Sequence, residues 1–395
     1  MYSPYKVGGA EISTQNLAEA LAILGNDVYV ITLHNDKSIK SEVKNNVKVI
    51  RVPIRNIYWP FDGRRRSFFF RLIWHIVDLY NPFARSTVTS VLKNIEPDIV
   101  HTNNLSGFSI SAWDAALNLK IPVAHTSRDY YLIHPNNNLY ANNKPLNPNN
   151  KLVRLFNFLK RIKSNNIDYF IPISHYISRL HISLGYFKSC NSKVIYNSIS
   201  LQKCLMSPAR SDGPIKLGYL GRLEERKGIE DLMAAVNKSA LNYELFIAGV
   251  GDDEYLEKLK QLKCKAKINW LGHVPQETLF HMIDILAVPS KWPEPLGRVV
   301  LESYSHGVPV IASDSGGIPE IVEENKTGLI FNSSKLESLV FALNNAILLL
   351  DNDVKINCLN YAAEFSSDRV AKKFLVAFSE IMFKKSANPS TVTRE

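Results

Sequence analysis

Two glutamates in the stretch KWPEPLGRVVLE (291–302) have the residue type and spacing of an acid and base pair. Glu294 precedes Pro295, which favours extended backbone, and Glu302 falls inside the helix predicted after it. Eight residues at the helical rise span roughly 12 Å, whereas a glycoside hydrolase holds its two carboxyls about 5–5.5 Å or about 6.5–9.5 Å apart. The spacing therefore suits two hydrogen-bond acceptors that grip different parts of one long ligand. An exposed helix carboxylate is the alternative for Glu302.

Two cations in the stretch GRLEERKG could bind an anion. Arg222 ends a predicted strand and Lys227 opens the next helix, and open α/β sheets bind ligands at the carboxyl ends of their strands. A guanidinium fork with an ammonium suits a diphosphate. Taken alone, the stretch is better interpreted as a solvated charge run, because Glu224, Glu225 and Arg226 surround the two cations.

Two glycine-containing helix starts are further phosphate candidates. Leu296 and Gly297 begin the helix that carries Glu302, and Gly8 and Gly9 lead into the first helix of the chain. Helix-start N–H groups favour anions, and glycine lets backbone approach a ligand. A plain turn explains Gly8 and Gly9 equally well. The dinucleotide fingerprint fails because position 254 is glutamate, the P-loop pattern does not occur, and no His, Cys and Asp cluster has metal-ligand spacing.

Length and composition predict an ordinary globular protein. With 395 residues we expect two domains. The sequence contains no run of 18 apolar residues, so no membrane span is predicted, and its N-terminus lacks a signal-peptide pattern, so no export is predicted. We therefore expect a cytoplasmic protein. The four cysteines lie far apart without a Cys-x-x-Cys pair, which argues against a disulfide frame or a zinc site. The net charge of +10 suggests an anionic partner: nucleic acid, a membrane surface or a phosphorylated small molecule.

From about residue 214 short apolar strands alternate with amphipathic helices, which predicts a parallel sheet covered on both faces, that is, a Rossmann-like domain. The strands are predicted at 215–223, 243–251, 268–274, 285–290, 308–314 and 327–331. The helices are predicted at 227–239, 253–263, 275–284 and 298–306.

The first half repeats this theme less regularly, so we predict two Rossmann-like domains in series. A helix is predicted at 8–25, a loop at 136–150, a linker at about 200–213, and strands at 27–33, 46–52, 97–104, 121–127, 167–174 and 193–199. A doubly wound domain normally opens with its central strand before the glycine turn, and residues 1–7 do not have strand character. We expect that the true start of the chain lies upstream of Met1.

These stretches together resemble the retaining nucleotide-sugar glycosyltransferases of family 4, which have the two-domain GT-B fold. The resemblance covers nearly the whole chain and is most specific in EPLGRVVLESYSHGVPVIASDSGGIPEIV (294–322). It also includes VGGAE (7–11), PDIVHTNN (97–104), VIYNSI (194–199), GRLEERKGI (221–229), IAGVGDDE (247–254), INWLGHV (268–274) and TGLIF (327–331). It implies two parallel-sheet domains that face a central cleft, at 1–200 and 201–364. The segment 365–395 would supply a last helix that crosses back to the first domain.

The resemblance also implies a role for each candidate residue. Arg222 and Lys227 would bind the diphosphate of a UDP- or GDP-sugar, Glu294 the sugar hydroxyls and Glu302 the ribose. Leu296 and Gly297 would offer backbone N–H groups to sugar and phosphate. Backbone near Val274 would face the base, and Gly8 and Gly9 would approach the diphosphate. Fixed cations would replace the metal ion of other transferases, so no cofactor is expected.

Two departures from the family pattern lie on the acceptor side. Where many members carry a histidine before the aspartate of TSRDYY, this chain has Arg128, which would contact donor or acceptor but cannot act as a base. Where the family usually has glycine, the chain has Ser198. A non-catalytic nucleotide-sugar-binding subunit and a nucleotide-sugar epimerase of the same fold are the alternatives to a transferase.

The acceptor is expected on the first domain, where 55–74 interleaves arginines with aromatic residues. Such a segment suits an anionic membrane surface, which would make the acceptor a lipid-linked glycan and the protein peripheral on the cytoplasmic face. An amphipathic helix with its aromatic residues packed inward is the alternative, and single-stranded nucleic acid uses the same residue types. With the resemblance in view, we expect a glycan acceptor and no nucleic acid.

Overall fold

The computed structural model describes Tyr2 and residues 8–141, 144–201 and 213–387. The chain divides into two compact units. Unit 1 takes Met1–Leu139, Asn147–Ser198 and Ser367–Glu395, and unit 2 takes Tyr140–Leu146 and Ile199–Ser366. Most of the segment 1–7, which was expected to lack strand character, and most of the predicted linker, at 202–212, lie outside the described residues.

Unit 2 contains a sheet of six parallel strands. They are β10 (Ile215–Leu220), β11 (Tyr243–Ala248), β12 (Lys267–Gly272), β13 (Ile285–Val288), β14 (Val310–Ser313) and β15 (Gly328–Phe331). Their spatial order is β12-β11-β10-β13-β14-β15. Numbered along the chain this is 3-2-1-4-5-6, the doubly wound order in which ligands bind where the order reverses, between β10 and β13.

The helices of unit 2 alternate with these strands, as the sequence predicts. They are α8 (Ile229–Lys238), α9 (Asp253–Gln261), α10 (Gln276–Phe280), α11 (Arg298–Tyr304), α12 (Leu336–Asn344) and α13 (Asn352–Ala363). In α8, Ile229, Leu232, Met233 and Val236 are buried at helical spacing. The apolar strands β13 and β14 are buried throughout, as expected of a parallel sheet covered on both faces.

The strands of unit 1 are shorter and form two sheets. They are β1 (Tyr29–His34), β2 (Lys40–Lys44), β3 (Val47–Pro53), β4 (Val100–Thr102), β5 (Val123–His125), β8 (Tyr169–Phe170) and β9 (Asn191–Ser192). The first sheet has the order β1-β3-β2, with β2 antiparallel to β3. The second has the order β4-β5-β8-β9 and is parallel throughout.

Eight helices of the described residues surround these sheets. They are α1 (Gly9–Ile23), α2 (Phe68–Leu79), α3 (Pro82–Ile95), α4 (Ser111–Asn118), α5 (Lys151–Phe156), α6 (Phe158–Ser164), α7 (His175–Ser183) and α14 (Ser367–Ala387). The last helix shares a hydrophobic core with the first, in which Phe374 and Phe378 join Leu17 and Leu21. In the same core, the Tyr169 hydroxyl donates to Glu380 at 2.9 Å.

Two sequence predictions are wrong in detail. The segment predicted as a loop at 136–150 contains a small antiparallel hairpin, with β6 (Tyr140–Ala141) paired to β7 (Lys144–Pro145). Instead of the strand predicted at 193–199, the structure has the two-residue strand β9 just before it, at Asn191–Ser192. Lys193 and Ile195 still donate backbone hydrogen bonds, to the carbonyls of Phe170 and Pro172. Among the described residues, no helix is long and apolar enough to cross a membrane.

Candidate functional site

The centre of the candidate site is a contact between Lys227 and Glu294. Lys227 follows β10 and Glu294 follows β13, so the two side chains come from either side of the point where the strand order reverses. Lys227 Nζ lies 2.6 Å from Glu294 Oε1, and both side chains are mostly buried. The structure thus brings together two predicted residues that are 67 positions apart in sequence.

Two more donors meet the same carboxylate oxygen. Ser290 Oγ donates to Glu294 Oε1 at 2.9 Å and Trp292 Nε1 donates to it at 2.7 Å. All the side-chain hydrogen bonds that described residues donate to Glu294 therefore end on Oε1. The arrangement fixes the carboxylate by one oxygen and directs no described donor to Oε2. Sequence reasoning missed both donors, although they lie within four residues of Glu294.

Opposing effects set the pKa of Glu294. Burial raises the pKa, because it disfavours the charged form. The Lys227 ammonium and the hydrogen bonds from Lys227, Trp292 and Ser290 lower it, and together they hold the pKa below its ordinary value. Glu294 is therefore an ionised carboxylate at neutral pH, suited to accept hydrogen bonds and unsuited to donate a proton.

A glycine pair holds the backbone of Glu294 in place. Gly316 has φ +67°, and a Cβ there would lie 2.1 Å from the Glu294 carbonyl oxygen. Gly317 N–H donates to the same carbonyl at 2.8 Å. Only glycine fits a left-handed position at such close approach. These glycines belong to the motif SDSGG, 313–317, so the motif was visible in the sequence, whereas its contact with Glu294 was not.

Arg222 lies at the rim of a separate part of the site. Its side chain is half exposed, and Nη1 lies 3.7 Å from Glu224 Oε1. The other oxygen of this carboxylate, Oε2, pairs with Arg226 Nε. A cavity of about 580 Å³ opens beside it, lined by Arg222, Leu223, Glu224, Glu225, Val250, Gly251, Asp252 and Tyr255. The sequence predicted a strand at 243–251 and a helix at 253–263 here, without any signal for the half-buried ring of Tyr255 on α9.

Glu302 lies in α11, the helix that follows Glu294, and forms an ion pair with a different cation, Arg298. Arg298 Nη2 lies 3.0 Å from Glu302 Oε1 within α11, and both side chains are mostly buried. Burial raises the pKa of Glu302 above its ordinary value, with Arg298 acting against this and Glu277 adding to it. The two glutamates thus have separate cationic partners, Lys227 for Glu294 and Arg298 for Glu302.

The remaining predicted residues of unit 2 lie at element ends. Gly297 caps α11 with φ +87°, and Leu296 before it is buried. Val274 lies between the end of β12 and the start of α10, and is partly exposed. Within the described residues, no group of three or more His, Cys, Asp or Glu side chains is arranged to hold a metal ion.

Gly8, Gly9 and Arg128 lie in unit 1. Gly8 and Gly9 are exposed at the start of α1, where Glu11 Oε2 accepts from the Gly8 N–H at 3.0 Å. Arg128 follows β5 and is buried, with Nε donating to Asn103 Oδ1 at 3.1 Å and Nη1 donating to Asn197 Oδ1. These asparagines follow other strands of the same parallel sheet. Arg128 is therefore a rigidly held cation at the carboxyl edge of that sheet.

Two family profiles match the chain, one in each half. The profile described as Glycosyltransferase Family 4 matches residues 7–203, and the one described as Glycosyl transferases group 1 matches residues 206–362. An uncharacterized 42.6 kDa protein in the cps region of Klebsiella pneumoniae is 40% identical over 323 residues, which is 81% of this chain and 85% of that protein. An uncharacterized glycosyltransferase of Methanocaldococcus jannaschii is 27% identical over 373 residues, which is 88% of this chain and 87% of that protein.

Three solved structures share the fold. Sucrose-phosphate synthase from Thermosynechococcus elongatus has a TM-score of 0.73 at 19% identity, covering 96% of this chain and 94% of that one. Anabaena HepE in complex with UDP has a TM-score of 0.71 at 17% identity, covering 96% and 98%. The lipopolysaccharide outer core galactosyltransferase WaaB has a TM-score of 0.63 at 18% identity, covering 96% of each chain. They confirm the predicted fold class, an α/β protein of GT-B type with two Rossmann-like domains.

Proposed function

We propose, because the chain belongs to the glycosyltransferases of family 4 and group 1, that it transfers a sugar from a nucleoside-diphosphate sugar to a hydroxyl of a glycan acceptor. The observation that carries this proposal is the contact between Lys227 and Glu294 where the strand order of unit 2 reverses. A cation and an ionised carboxylate side by side match a ligand in which an anionic diphosphate is joined to a hydroxyl-rich sugar.

In this proposal Lys227 and Arg222 bind the donor diphosphate. As the bond between sugar and diphosphate breaks, negative charge grows on the leaving group, and fixed cations stabilise it. They take the part that a metal ion has in other transferases. Lys227 is held at 2.6 Å from Glu294 before the donor arrives, so binding would redirect an ammonium that is already in position.

Glu294 would accept hydrogen bonds from the donor sugar. Its Oε1 carries three donors from the described residues, and Oε2, to which none of these three donates, is the oxygen that would face sugar hydroxyls. Glu302 would accept from the ribose, Leu296 and Gly297 would donate backbone N–H groups, and Val274 would adjoin the base. Gly8 and Gly9 of unit 1 would approach the diphosphate, and Arg128 would contact donor or acceptor.

The reaction proposed is retaining. The nucleoside diphosphate leaves from one face of the sugar, and the acceptor hydroxyl attacks on that same face. We propose no protein nucleophile. The donor would be a UDP- or GDP-sugar, and the structures of HepE with UDP and with UDP-glucose support the UDP form. By function, the chain would divide into an acceptor-side domain at 1–200, a donor domain at 201–364 and a returning helix with its tail at 365–395.

The biological setting proposed is the synthesis of a cell-surface polysaccharide or lipopolysaccharide on a lipid-linked acceptor. The relative in the cps region and the fold shared with a lipopolysaccharide galactosyltransferase support it. An enzyme with such an acceptor would work in the cytoplasm, peripherally bound to the inner membrane surface.

A donor screen tests the proposal. We expect UDP or GDP, but not ADP, to raise the unfolding temperature of the protein, and the matching nucleotide sugars to support transfer to an acceptor glycan. Lys227→Ala and Glu294→Ala should abolish transfer, while the control Lys260→Ala, which removes an exposed lysine paired with Glu257 at 2.8 Å, should leave it unchanged.

Two outcomes would contradict the proposal. Full transfer by both site variants would remove the site assignment. Donor binding without turnover on any acceptor of the panel would favour a non-catalytic nucleotide-sugar-binding subunit.

A further inference from the structure

Helix α2 presents large apolar side chains to solvent. Phe68 is 78% exposed, and Phe69, Phe70, Leu72 and Ile76 are exposed as well. Of the aromatic residues of this helix, only Trp74 is buried, with Nε1 donating to the Tyr58 carbonyl at 3.2 Å. The aromatic residues of 55–74 therefore do not all pack inward, as one interpretation of the sequence would have it.

Helices α5 and α6 repeat this pattern in the same unit. Leu152 is 78% exposed, and Leu155, Phe158 and Ile162 are exposed too. A groove of about 390 Å³ lies among them, lined by Asn149, Lys151, Arg154, Leu155, Phe158 and Arg161. Three cations thus border an apolar groove of a size that admits a phosphate headgroup.

Hydrogen bonds to one buried segment tie the two helical regions together. The Tyr131 hydroxyl donates to the Asp78 carbonyl at the end of α2 at 3.2 Å, and Lys160 of α6 donates to the Tyr131 carbonyl at 2.9 Å. Asn157, before α6, donates to the Ile133 carbonyl at 3.0 Å. Both helical regions therefore pack on the same buried segment, residues 131–133. We call the exposed apolar and basic side chains of 57–76 and 149–163 the basic apolar face.

The charge of this face is one-sided. Segment 57–76 carries four arginines and one acid, Asp62, and segment 149–163 carries four basic residues besides the buried Lys160 and no acid. A second exposed apolar patch, on unit 2, has the opposite character. There Phe341, which is 72% exposed, Ile347 and Leu348 lie in a segment with Glu337, Asp351 and Asp353 and no basic residue between 336 and 353.

We propose that the basic apolar face docks on an anionic lipid bilayer. Bulky apolar side chains on helices flanked by arginine and lysine are the composition that inserts at the boundary of headgroups and acyl chains, and cations there attract anionic lipid. On docking, the eleven exposed large apolar side chains of this face would pass from water into an apolar environment. The inference deepens the proposed function by naming the surface that would carry the enzyme to a lipid-linked acceptor.

Vesicle co-sedimentation of the full chain tests this inference without donor or acceptor. We expect binding to vesicles of phosphatidylcholine and phosphatidylglycerol, weakened by salt, and little binding to pure phosphatidylcholine. Phe68→Ser/Phe69→Ser/Leu152→Ser/Leu155→Ser should lose more than tenfold in partitioning. Arg64→Gln/Arg65→Gln/Lys151→Gln should lose about fivefold for each cation removed. The matched control, Phe341→Ser/Ile347→Ser/Leu348→Ser, should bind like the parent protein.

Several outcomes overturn the proposal. They are the absence of vesicle binding, equal loss in the Phe341 control, tighter binding to a single-stranded oligonucleotide at the same residues, and a dimer that the serine variants dissociate in sedimentation velocity. The unfolding temperature with and without UDP, measured on each variant, shows that it is folded and whether unit 2 binds nucleotide. Failure of membrane docking is thereby distinguishable from failure of the proposed donor site.

Discussion

Each unit buries a lysine near a carboxylate, and the two arrangements differ in contact. In unit 2, Lys227 touches Glu294 at 2.6 Å and two further donors meet the same oxygen. In unit 1, Lys160 donates to the Tyr131 carbonyl and lies 3.7 Å over the Tyr131 ring. Its neighbour Asp78 accepts from the Gly107 N–H at 2.7 Å. The first pair is an ion pair, whereas the second is two charges satisfied separately by neutral groups.

This difference in contact appears in the pKa values of the two carboxyl groups, Asp78 and Glu294. Burial raises the pKa of Asp78 to about 7, against the lowering effect of Lys160, and burial lowers the pKa of Lys160 to about 8. For Glu294 the ammonium in contact and its hydrogen bonds outweigh burial, so its pKa is lowered. A directly contacting cation with converging donors keeps a buried carboxylate ionised, and charge proximity alone does not. In unit 2 the carboxylate of Glu294 thus stays charged, whereas in unit 1 burial brings Asp78 and Lys160 closer to their neutral forms.

The largest expected effect is on catalysis at the pair of unit 2. Lys227→Met should lower kcat/KM for transfer by about 10²–10³, because a fixed cation no longer stabilises the leaving diphosphate. Lys160→Met, the matched removal in unit 1, should leave the affinity for UDP unchanged, as isothermal titration would measure. A loss of less than tenfold for Lys227→Met would mean that its contact with Glu294 is structural only.

The free energy of unfolding should depend on the buried lysine of unit 1, Lys160. Lys160→Met leaves Asp78 buried without its nearby cation, and leaving a buried polar group without its partner costs about 1–3 kcal/mol. Urea unfolding followed by fluorescence should show this decrease. Lys160→Met/Asp78→Asn should recover much of it, since both charges are then gone. If the double variant is as unstable as the single one, packing around Tyr131 and not charge explains the loss.

The backbone support of Glu294 gives a smaller effect. Gly316→Ala introduces a Cβ against the Glu294 carbonyl, and the shift should lower transfer about tenfold, because small misplacements of a positioned group slow reactions. Gly25→Ala is the control: Gly25 also has positive φ, but a Cβ there meets nothing within 4 Å. The left-handed backbone should cost each variant about 1–2 kcal/mol of stability, and the clash at Gly316 should add to the loss in that variant. Equal transfer rates for the two variants would contradict the support role.

The most gradual effect is the response to pH. A carboxyl with a raised pKa stays protonated in the folded protein over a range where the unfolded chain has released its proton. The free energy of unfolding should therefore fall as pH rises from the ordinary value of Asp78 to about 7, by at most about 1.4 kcal/mol per pH unit. Asp129, whose pKa burial raises to about 6, adds to the fall at the lower end.

Asp78→Asn should flatten this slope, which thermal unfolding between about pH 5 and about pH 7 would measure. This range lies between the ordinary pKa of an aspartate and the raised pKa of Asp78. Glu294 contributes in the opposite sense, with stability that is lost as pH falls through its lowered pKa. An unchanged slope in Asp78→Asn would show that Asp78 is not the group that titrates.

The sequence predicted unit 2 well because its elements are long and regular. Strands such as β10 and β11 are six-residue apolar runs, and α8 has a clear apolar stripe. In unit 1 the strands β8 and β9 have two residues each, too few for any periodicity. β9 is moreover exposed and polar, so the more apolar residues behind it drew the prediction to 193–199.

The candidate site was predictable in its members and not in its contacts. Residue type and position made Lys227 and Glu294 candidates, because charged residues behind apolar strands are visible locally. Taken alone, however, the stretch around Lys227 was interpreted as a solvated charge run, and only the family resemblance gave it a role. The convergence of Ser290 and Trp292 on a single oxygen depends on side-chain rotamers. The approach of Gly316 to Glu294 depends on how two loops fold together. Neither has a counterpart in a linear pattern.

The core of unit 1 has a consequence for how the protein is made. Its apolar centre joins Leu17 of α1 to Phe374 and Phe378 of α14, so this core is completed only when α14 has been synthesised. Unit 2, apart from its hairpin, is the continuous segment Ile199–Ser366 and is complete before α14. During synthesis the apolar residues of α1 in this core therefore wait uncovered while unit 2 folds, and such exposed apolar surface favours aggregation.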